Sequence, residues 1–204
     1  KRGEAKRLAV GFCTSLSTGN LRAALLNFTT HFPHTELITI ERSQARLMTA
    51  LLNGTLDIVI APGTASLPKN HSLPLWRERI LVALPEDHPL TARDTVVWAD
   101  LQNQTVLLSQ YDPGNQLEDI LIANFPVAGD RPQIERHDVS RGIIKSLISM
   151  GLGISLVIDS DIGASVAGLV YRELRDGTRR SYLNFSAHWR NDNENPAFHD
   201  LLNL

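Results

Sequence analysis

The chain has 204 residues, which suits one large domain or two small ones, and its 43 % hydrophobic and 21 % charged residues are typical of a soluble globular protein. No run of about eighteen apolar residues occurs, so the sequence excludes an ordinary membrane-spanning helix and we expect no membrane partner. The single cysteine, Cys13, excludes an intrachain disulfide and is consistent with a reducing cytoplasm, the location we expect.

The net charge of −2 is distributed unevenly along the chain. The first seven residues hold four basic side chains and one acidic side chain, which gives them +3 and leaves −5 for residues 8–204. Proteins that bind duplex DNA need concentrated positive charge, because contacts with phosphates supply most of the non-specific affinity. We therefore predict that residues 1–204 alone do not bind DNA.

The first third of the chain alternates short apolar runs with segments of helical periodicity. In order, the predicted elements are a strand at 8–12, a helix at 21–32, a strand at 37–40, a helix that Ser43 precedes and Asn53-Gly54 ends, and a strand at 56–61 that ends before Pro62-Gly63. This alternation with short links predicts a parallel sheet with right-handed crossovers.

The middle and the end of the chain repeat this α/β pattern less regularly. Strands are predicted at 79–84, 105–108, 133–136, 154–158, 169–171 and 182–189, helices at 117–125, from Ser140 to Gly151 and at 196–204, and a short helical turn at 98–101. The sequence therefore predicts two α/β units, one after the other, followed by a closing strand and helix.

The sequence contains none of the common hydrolase, zinc-protease or phosphate-loop motifs. Gly151-Leu152-Gly153 follows a predicted helix, whereas phosphate loops precede one, so a helix C-cap is the better interpretation. His31 and His34 have no third potential ligand nearby, and Cys13 has no base identified in the sequence. We therefore predict no catalytic residue, no metal site and no cofactor.

Polar and small residues collect where the predicted parallel strands end and the next helices begin. Ligands of open parallel sheets bind at this edge, where helix N-termini offer unpaired N–H groups to an anion. For any single Ser or Thr among them, simple helix capping is an equally good interpretation. The predicted ligand-binding residues are Thr14, Ser15, Ser17, Ser43, Pro62, Gly63, Gln110, His137, Val139 and Ser140, with Gln110 the weakest member.

Several segments, in order along nearly the whole chain, resemble the effector domain of LysR-type transcriptional regulators. The segment Arg2–Gly11 is similar to the junction between the linker helix and the first strand of that family. The other segments that resemble family motifs are Phe28–Pro33 (FTTHFP), Ala50–Ile60 (ALLNGTLDIVI), Leu81–Leu90 (LVALPEDHPL), Leu147–Ile154 (LISMGLGI) and Asn195–Phe198 (NPAF).

The resemblance implies two Rossmann-like lobes of the type II periplasmic-binding-protein kind that close around a small-molecule effector. Lobe I is expected at residues 7–84 plus 184–204 and lobe II at 85–183, with crossover strands near Val82–Pro85 and Leu183–His188. The family's N-terminal winged helix-turn-helix and linker helix are expected to be absent from this chain, so that DNA is a partner only through the missing domain.

The resemblance also implies a homodimer and a higher oligomer of the full-length protein. In this family a helix of one lobe pairs with a helix of the other lobe on the partner chain, and here the helices at 20–32 and 116–124 are the candidates.

Two other functions use the same fold. A solute-binding protein of a transporter would share both fold and ligand cleft. A small enzyme would need an acid/base pair, for which His137 and Asp138 are the only adjacent candidates.

Overall fold

A computed structural model describes residues 6–63 and 70–204. The Arg2–Glu4 part of the junction motif therefore lies outside the described residues. The chain divides into two units, the first made of the described residues up to Trp76 together with Asn184–Leu204, the second of Arg77–Leu183. Within these described ranges, no helix is both long and apolar enough to cross a membrane.

The first unit is built on three parallel strands in the order β2-β1-β3, with β11 antiparallel beside β3. Its elements are β1 (Arg7–Phe12), α1 (Asn20–His31), β2 (Glu36–Glu41), α2 (Gln44–Leu52), β3 (Ile58–Pro62), the first part of β4 (Asn70–Pro85), most of β11 (Tyr182–Arg190) and α5 (Pro196–Leu202). The predicted strands and helices of this region are confirmed, and Gly54 closes α2 at φ +81° as the Asn53-Gly54 pair predicted.

The core under α2 explains why this sheet and helix pack closely. Leu47 and Leu51 of α2 are fully buried against Val59 of β3 and Leu56. Gly11 makes the approach possible, because a Cβ added there would lie 2.5 Å from Leu56 Cδ1 and 2.8 Å from Leu47 Cδ2. Burying each such leucine contributes about 1.5–3 kcal/mol, so this interface holds α2, and the turn before it, in place.

The second unit contains two groups of strands. Its elements are the remainder of β4, β5 (Thr95–Val97), β6 (Thr105–Ser109), α3 (Gly114–Ala123), β7 (Gln133–His137), α4 (Arg141–Ser149), β8 (Ser155–Ile158), β9 (Leu169–Asp176), β10 (Arg179–Arg180) and the start of β11. β6 and β7 pair in parallel, and Val106 bridges Ile154 in the same sense. β4 runs antiparallel to both β8 and β9, and β5 pairs in parallel with β9.

Some observed strands of this unit differ from the strands predicted from the sequence. β5 and β10 were not predicted, since segments of three and two residues are too short to show a period. β4 begins at Asn70, well before the predicted Arg79. The first division between units falls after Trp76, earlier than the expected residue 84, because Leu81–Pro85 pair with β9 inside the second unit. Both β4 and β11 run from one unit into the other.

Candidate functional site

The carboxyl ends of β1, β2 and β3 lie at one edge of the parallel sheet in the first unit, and six of the predicted ligand-binding residues collect there. The six are Thr14, Ser15 and Ser17 after β1, Ser43 after β2, and Pro62 and Gly63 at the end of β3. We call this group the first-unit edge. Its members come from three separate turns, which the parallel topology brings to the same side of the sheet.

Hydrogen bonds fix the conformation of the first-unit edge. The Ser15 hydroxyl donates to the Ser17 hydroxyl at 3.1 Å and accepts from the Ser17 N–H, also at 3.1 Å. The Gln44 amide donates to the Pro62 carbonyl at 3.2 Å. Gly63 has φ +88°, and a Cβ added there would meet no atom of the described residues within 4 Å.

The two helices at this edge begin differently from what a simple capping interpretation predicts. Ser43 occupies the N-cap position of α2, yet its side chain makes no capping hydrogen bond. Gly19 holds the corresponding position of α1, which has no side-chain cap either. Neither N-cap residue therefore caps its own helix through its side chain, and helix N-termini of this kind suit a bound anion.

The second unit has an equivalent edge, formed by the carboxyl ends of the parallel strands β6, β7 and β8. The remaining four predicted residues lie there, namely Gln110 after β6, His137 at the end of β7, and Val139 and Ser140 before α4. We call this group the second-unit edge. Here the capping interpretation applies to Ser140, whose hydroxyl accepts from the Ile143 N–H at 3.4 Å, a long and therefore weak bond.

The turns of the second-unit edge are tied to one another. The Ser109 hydroxyl donates to the Val139 carbonyl at 2.6 Å, and the Gln110 N–H donates to the His137 carbonyl at 2.9 Å. The Tyr111 hydroxyl donates to Asp138 Oδ1 at 2.6 Å. The acid/base pair of the enzyme alternative is not formed in the described residues, since Asp138 bonds Tyr111 and the His137 ring lies 3.5 Å from Glu135 Oε2.

A buried charged cluster supports the second-unit edge, and it could not be predicted from the sequence. Arg141, the first residue of α4, pairs through Nε with Asp161 at 3.2 Å. Lys145, one turn later, donates to the carbonyls of Asp161 and of Ala164. Lys145 is 4 % and Asp161 3 % exposed, and burial lowers the pKa of the Lys145 ammonium. The partners are separated by sixteen or more residues, so no local spacing could have revealed them.

A small cavity lies next to this cluster, inside the second unit. Arg141 and Asp161 line it together with Ser109, Gly114 and Ser155, and its volume is about 20 Å³. That volume has room for about one water molecule and not for an organic ligand.

Two further buried polar side chains lie on β11 in the first unit. Ser186 is 0 % and His188 1 % exposed, and they pair with Ala61 and Val59 of β3. Directly opposed residues of antiparallel strands share a face, which places both side chains on the α2 side of the sheet. Among the described residues, neither the Ser186 hydroxyl nor either His188 ring nitrogen has a hydrogen-bond partner, and burial lowers the pKa of His188.

No group of three or more potential metal-ligating side chains occurs in residues 6–63 and 70–204. His31 bonds the carbonyl of Asn27 within its own helix, and Cys13 is buried in the core under α2.

The family model described as the LysR substrate binding domain matches residues 1–204. The chain belongs to the LysR substrate-binding domain family. The expected fold class, α/β with two lobes of the type II periplasmic-binding-protein kind, is confirmed by this match and by the solved structures that the chain resembles.

Sequence relatives within the LysR group are named as regulators. AlsR of Bacillus subtilis is 25 % identical over 207 residues, an alignment that covers 100 % of this chain and 67 % of AlsR. The dual regulator GltC of the same organism is 29 % identical over 152 residues, which cover 74 % of this chain and 50 % of GltC. The chain therefore spans about half to two thirds of the length of these relatives.

Two solved structures have a fold similar to that of this chain. The BenM effector-binding domain with its effector benzoate superposes with a TM-score of 0.79 at 25 % identity, covering 96 % of this chain and 88 % of that domain. Full-length CbnR in complex with its target DNA gives 0.84 at 19 % identity, covering 99 % of this chain and 70 % of CbnR. The transporter and enzyme alternatives are not favoured, because the matches are to LysR-type regulators and their effector-binding domains.

Proposed function

We propose that this LysR domain binds a small organic anion through residues of the first-unit and second-unit edges, and that the full-length protein passes this binding on to DNA. The observation that carries the proposal is the collection of hydroxyls and helix N-termini at the carboxyl ends of parallel strands in each unit. Donor-rich edges of this kind favour an anion over a cation. The benzoate bound by BenM supports the same ligand class, since benzoate is a small carboxylate.

A thermal-shift screen against small carboxylates, amino acids and neutral sugars tests the proposal. A ligand present at a hundred times its Kd stabilises the folded state by about 2.7 kcal/mol, which produces an easily measured rise in Tm. We expect carboxylates to raise the Tm of the chain. A rise with neutral sugars alone, or with amines alone, would contradict the proposed ligand class.

Serine variants test whether the predicted residues contact the anion. We expect Ser15→Ala to lower effector affinity by about 1.5–3 kcal/mol, because it removes a donor to a charged group. Ser43→Ala should do the same with little change in stability, since the Ser43 hydroxyl makes no capping bond. Ser140→Ala should also reduce stability, by about 0.5–2 kcal/mol, because that hydroxyl caps α4. Calorimetric titration and thermal melts separate the two effects, and unchanged affinity in all three variants would place the site elsewhere.

We propose that DNA binding belongs to a part of the full-length protein that this chain does not contain, and that the full-length protein acts as a cytoplasmic homodimer. The regulator AlsR is named as a helix-turn-helix protein and is longer than this chain. Two-fold symmetric regulators read two half-sites of an operator, and α1 together with α3 are the helices we propose for the dimer contact.

The charge of the chain allows a direct test of the proposal that residues 1–204 do not themselves bind DNA. Residues 8–204 carry −5, so we expect no retardation of an operator fragment by residues 1–204 at physiological salt in a gel-shift assay. The full-length protein serves as the positive control. Specific retardation by residues 1–204 alone would contradict the prediction.

A further inference from the structure

Arg141 links three separate turns of the second-unit edge. Its Nε lies 3.2 Å from Asp161 Oδ1 in the turn after β8, and its Nη1 donates to the Asp112 carbonyl, at 3.3 Å, in the turn after β6. Arg141 itself begins α4, directly after the turn that follows β7. The Arg141 guanidinium therefore contacts the turns after β6 and β8, and the Arg141 backbone directly follows the turn after β7.

These turns hold the proposed ligand-binding residues of the second unit. Gln110 lies two residues before Asp112, and Val139 and Ser140 directly precede Arg141. A shift of Arg141 would move Gln110 relative to Val139 and Ser140. The Ser109 to Val139 bond joins the turns after β6 and β7 but does not reach the turn after β8. Lys145 of α4 reaches that turn through the Asp161 and Ala164 carbonyls but does not contact the turn after β6 in any bond described above.

Burial makes the Arg141–Asp161 contact costly to lose. Asp161 is 3 % exposed, and removing the partner of a buried carboxylate strongly destabilises the folded protein. The planar guanidinium reaches two acceptors in different directions at once, whereas an ammonium is a single compact charge on a flexible stem. Lysine at this position would keep the charge but not the geometry.

We propose that Arg141 is a positioning residue for effector binding. It acts by holding the turns after β6, β7 and β8 in fixed positions relative to one another and not by contacting the effector. This inference rests on the proposed function, because it concerns the same edge. It predicts that breaking the contact from the Asp161 side weakens binding just as breaking it from the Arg141 side does.

The experiment compares Arg141→Gln, Arg141→Lys, Asp161→Asn and the double variant Arg141→Gln/Asp161→Asn with the unaltered chain. The control is Arg93→Gln, which removes the same charge from the exposed Arg93–Asp100 pair of the second unit, 2.7 Å apart. The probes are benzoate, succinate and glutamate, measured by calorimetric titration. We expect about tenfold weaker binding for each single variant, no further loss in the double variant, and unchanged binding for Arg93→Gln.

Asp161→Asn separates positioning from direct contact. Removing a negative charge would strengthen the binding of an anion if Arg141 contacted it, so weaker binding in this variant supports positioning. Equal or tighter binding by Asp161→Asn, or unchanged binding by Arg141→Gln, would overturn the proposal.

Hydrogen exchange provides a readout that does not need a ligand. Arg141→Gln should speed exchange of the amides of 110–116, 138–143 and 159–164 together, and Arg93→Gln should not. If none of the three probes binds the unaltered chain, the proposed anion site fails on that result, whereas separate or unchanged exchange of these turns overturns the role of Arg141.

Discussion

Replacing Gly114 by alanine should disrupt the second-unit edge more than any surface change in that unit. A Cβ at Gly114 would lie 2.0 Å from the Ser109 carbonyl oxygen and 3.0 Å from its carbonyl carbon. Both are backbone atoms at the end of β6, which cannot rotate away as a side chain can. Either α3 or β6 must therefore shift, and overpacking of this kind costs about 1–3 kcal/mol and sometimes more.

The shift would reach the predicted ligand-binding residues through Ser109. Its hydroxyl donates to the Val139 carbonyl and accepts from the Tyr111 N–H, so a displaced Ser109 loosens the turns after β6 and β7 together. We expect Gly114→Ala to lower the midpoint of urea unfolding and to abolish the effector-induced rise in Tm. Gly129→Ala is the matched control, because a Cβ there meets nothing within 4 Å. Equal midpoints for the two variants would contradict this reading of Gly114.

The topology that brings six of the predicted ligand-binding residues to one sheet edge could be predicted because it depends on local patterns. Apolar runs such as Leu8–Phe12 and Ile58–Ile60 alternate with helical periodicity, and short links leave few ways to connect them other than a parallel sheet. Once the strands are parallel, residues after β1, β2 and β3 must share an edge. The sequence could therefore place Ser15 and Ser43 on one side of the sheet without any knowledge of contacts.

The roles of individual residues could not be predicted, because they depend on contacts between distant segments. Ser43 and Ser140 both precede a helix, yet only the Ser140 hydroxyl caps its helix. The partnership of Arg141 with Asp161 joins residues that share no periodicity. Polar residues in a strand normally indicate a solvent-facing side, but β11 lies inside the sheet beside β3, so Ser186 and His188 are buried instead.

His188 should make the stability of this domain depend on pH. It is 1 % exposed, its ring nitrogens have no hydrogen-bond partner in the part of the chain that the structure describes, and burial lowers its pKa below the usual value of about 6.5. Between these two pKa values the unfolded chain binds more protons than the folded one. The free energy of unfolding must therefore fall as pH decreases below about 6.5, and the full contribution is present only above that pH.

Replacing His188 by leucine removes both the proton and the unsatisfied nitrogens while keeping a side chain of similar size. We expect His188→Leu to raise the free energy of unfolding at pH 7 by about 1–3 kcal/mol, the cost of leaving a buried polar group without a partner. We also expect the decline of the free energy of unfolding between pH 6.5 and pH 5 to become shallower, measured by urea unfolding across that range.

His34→Gln is the control for this prediction. Since His34 is exposed, its loss should change neither the free energy of unfolding at pH 7 nor the decline below pH 6.5. If His188→Leu and the unaltered chain lose stability in parallel on acidification, a group other than His188 causes the decline and the prediction is wrong.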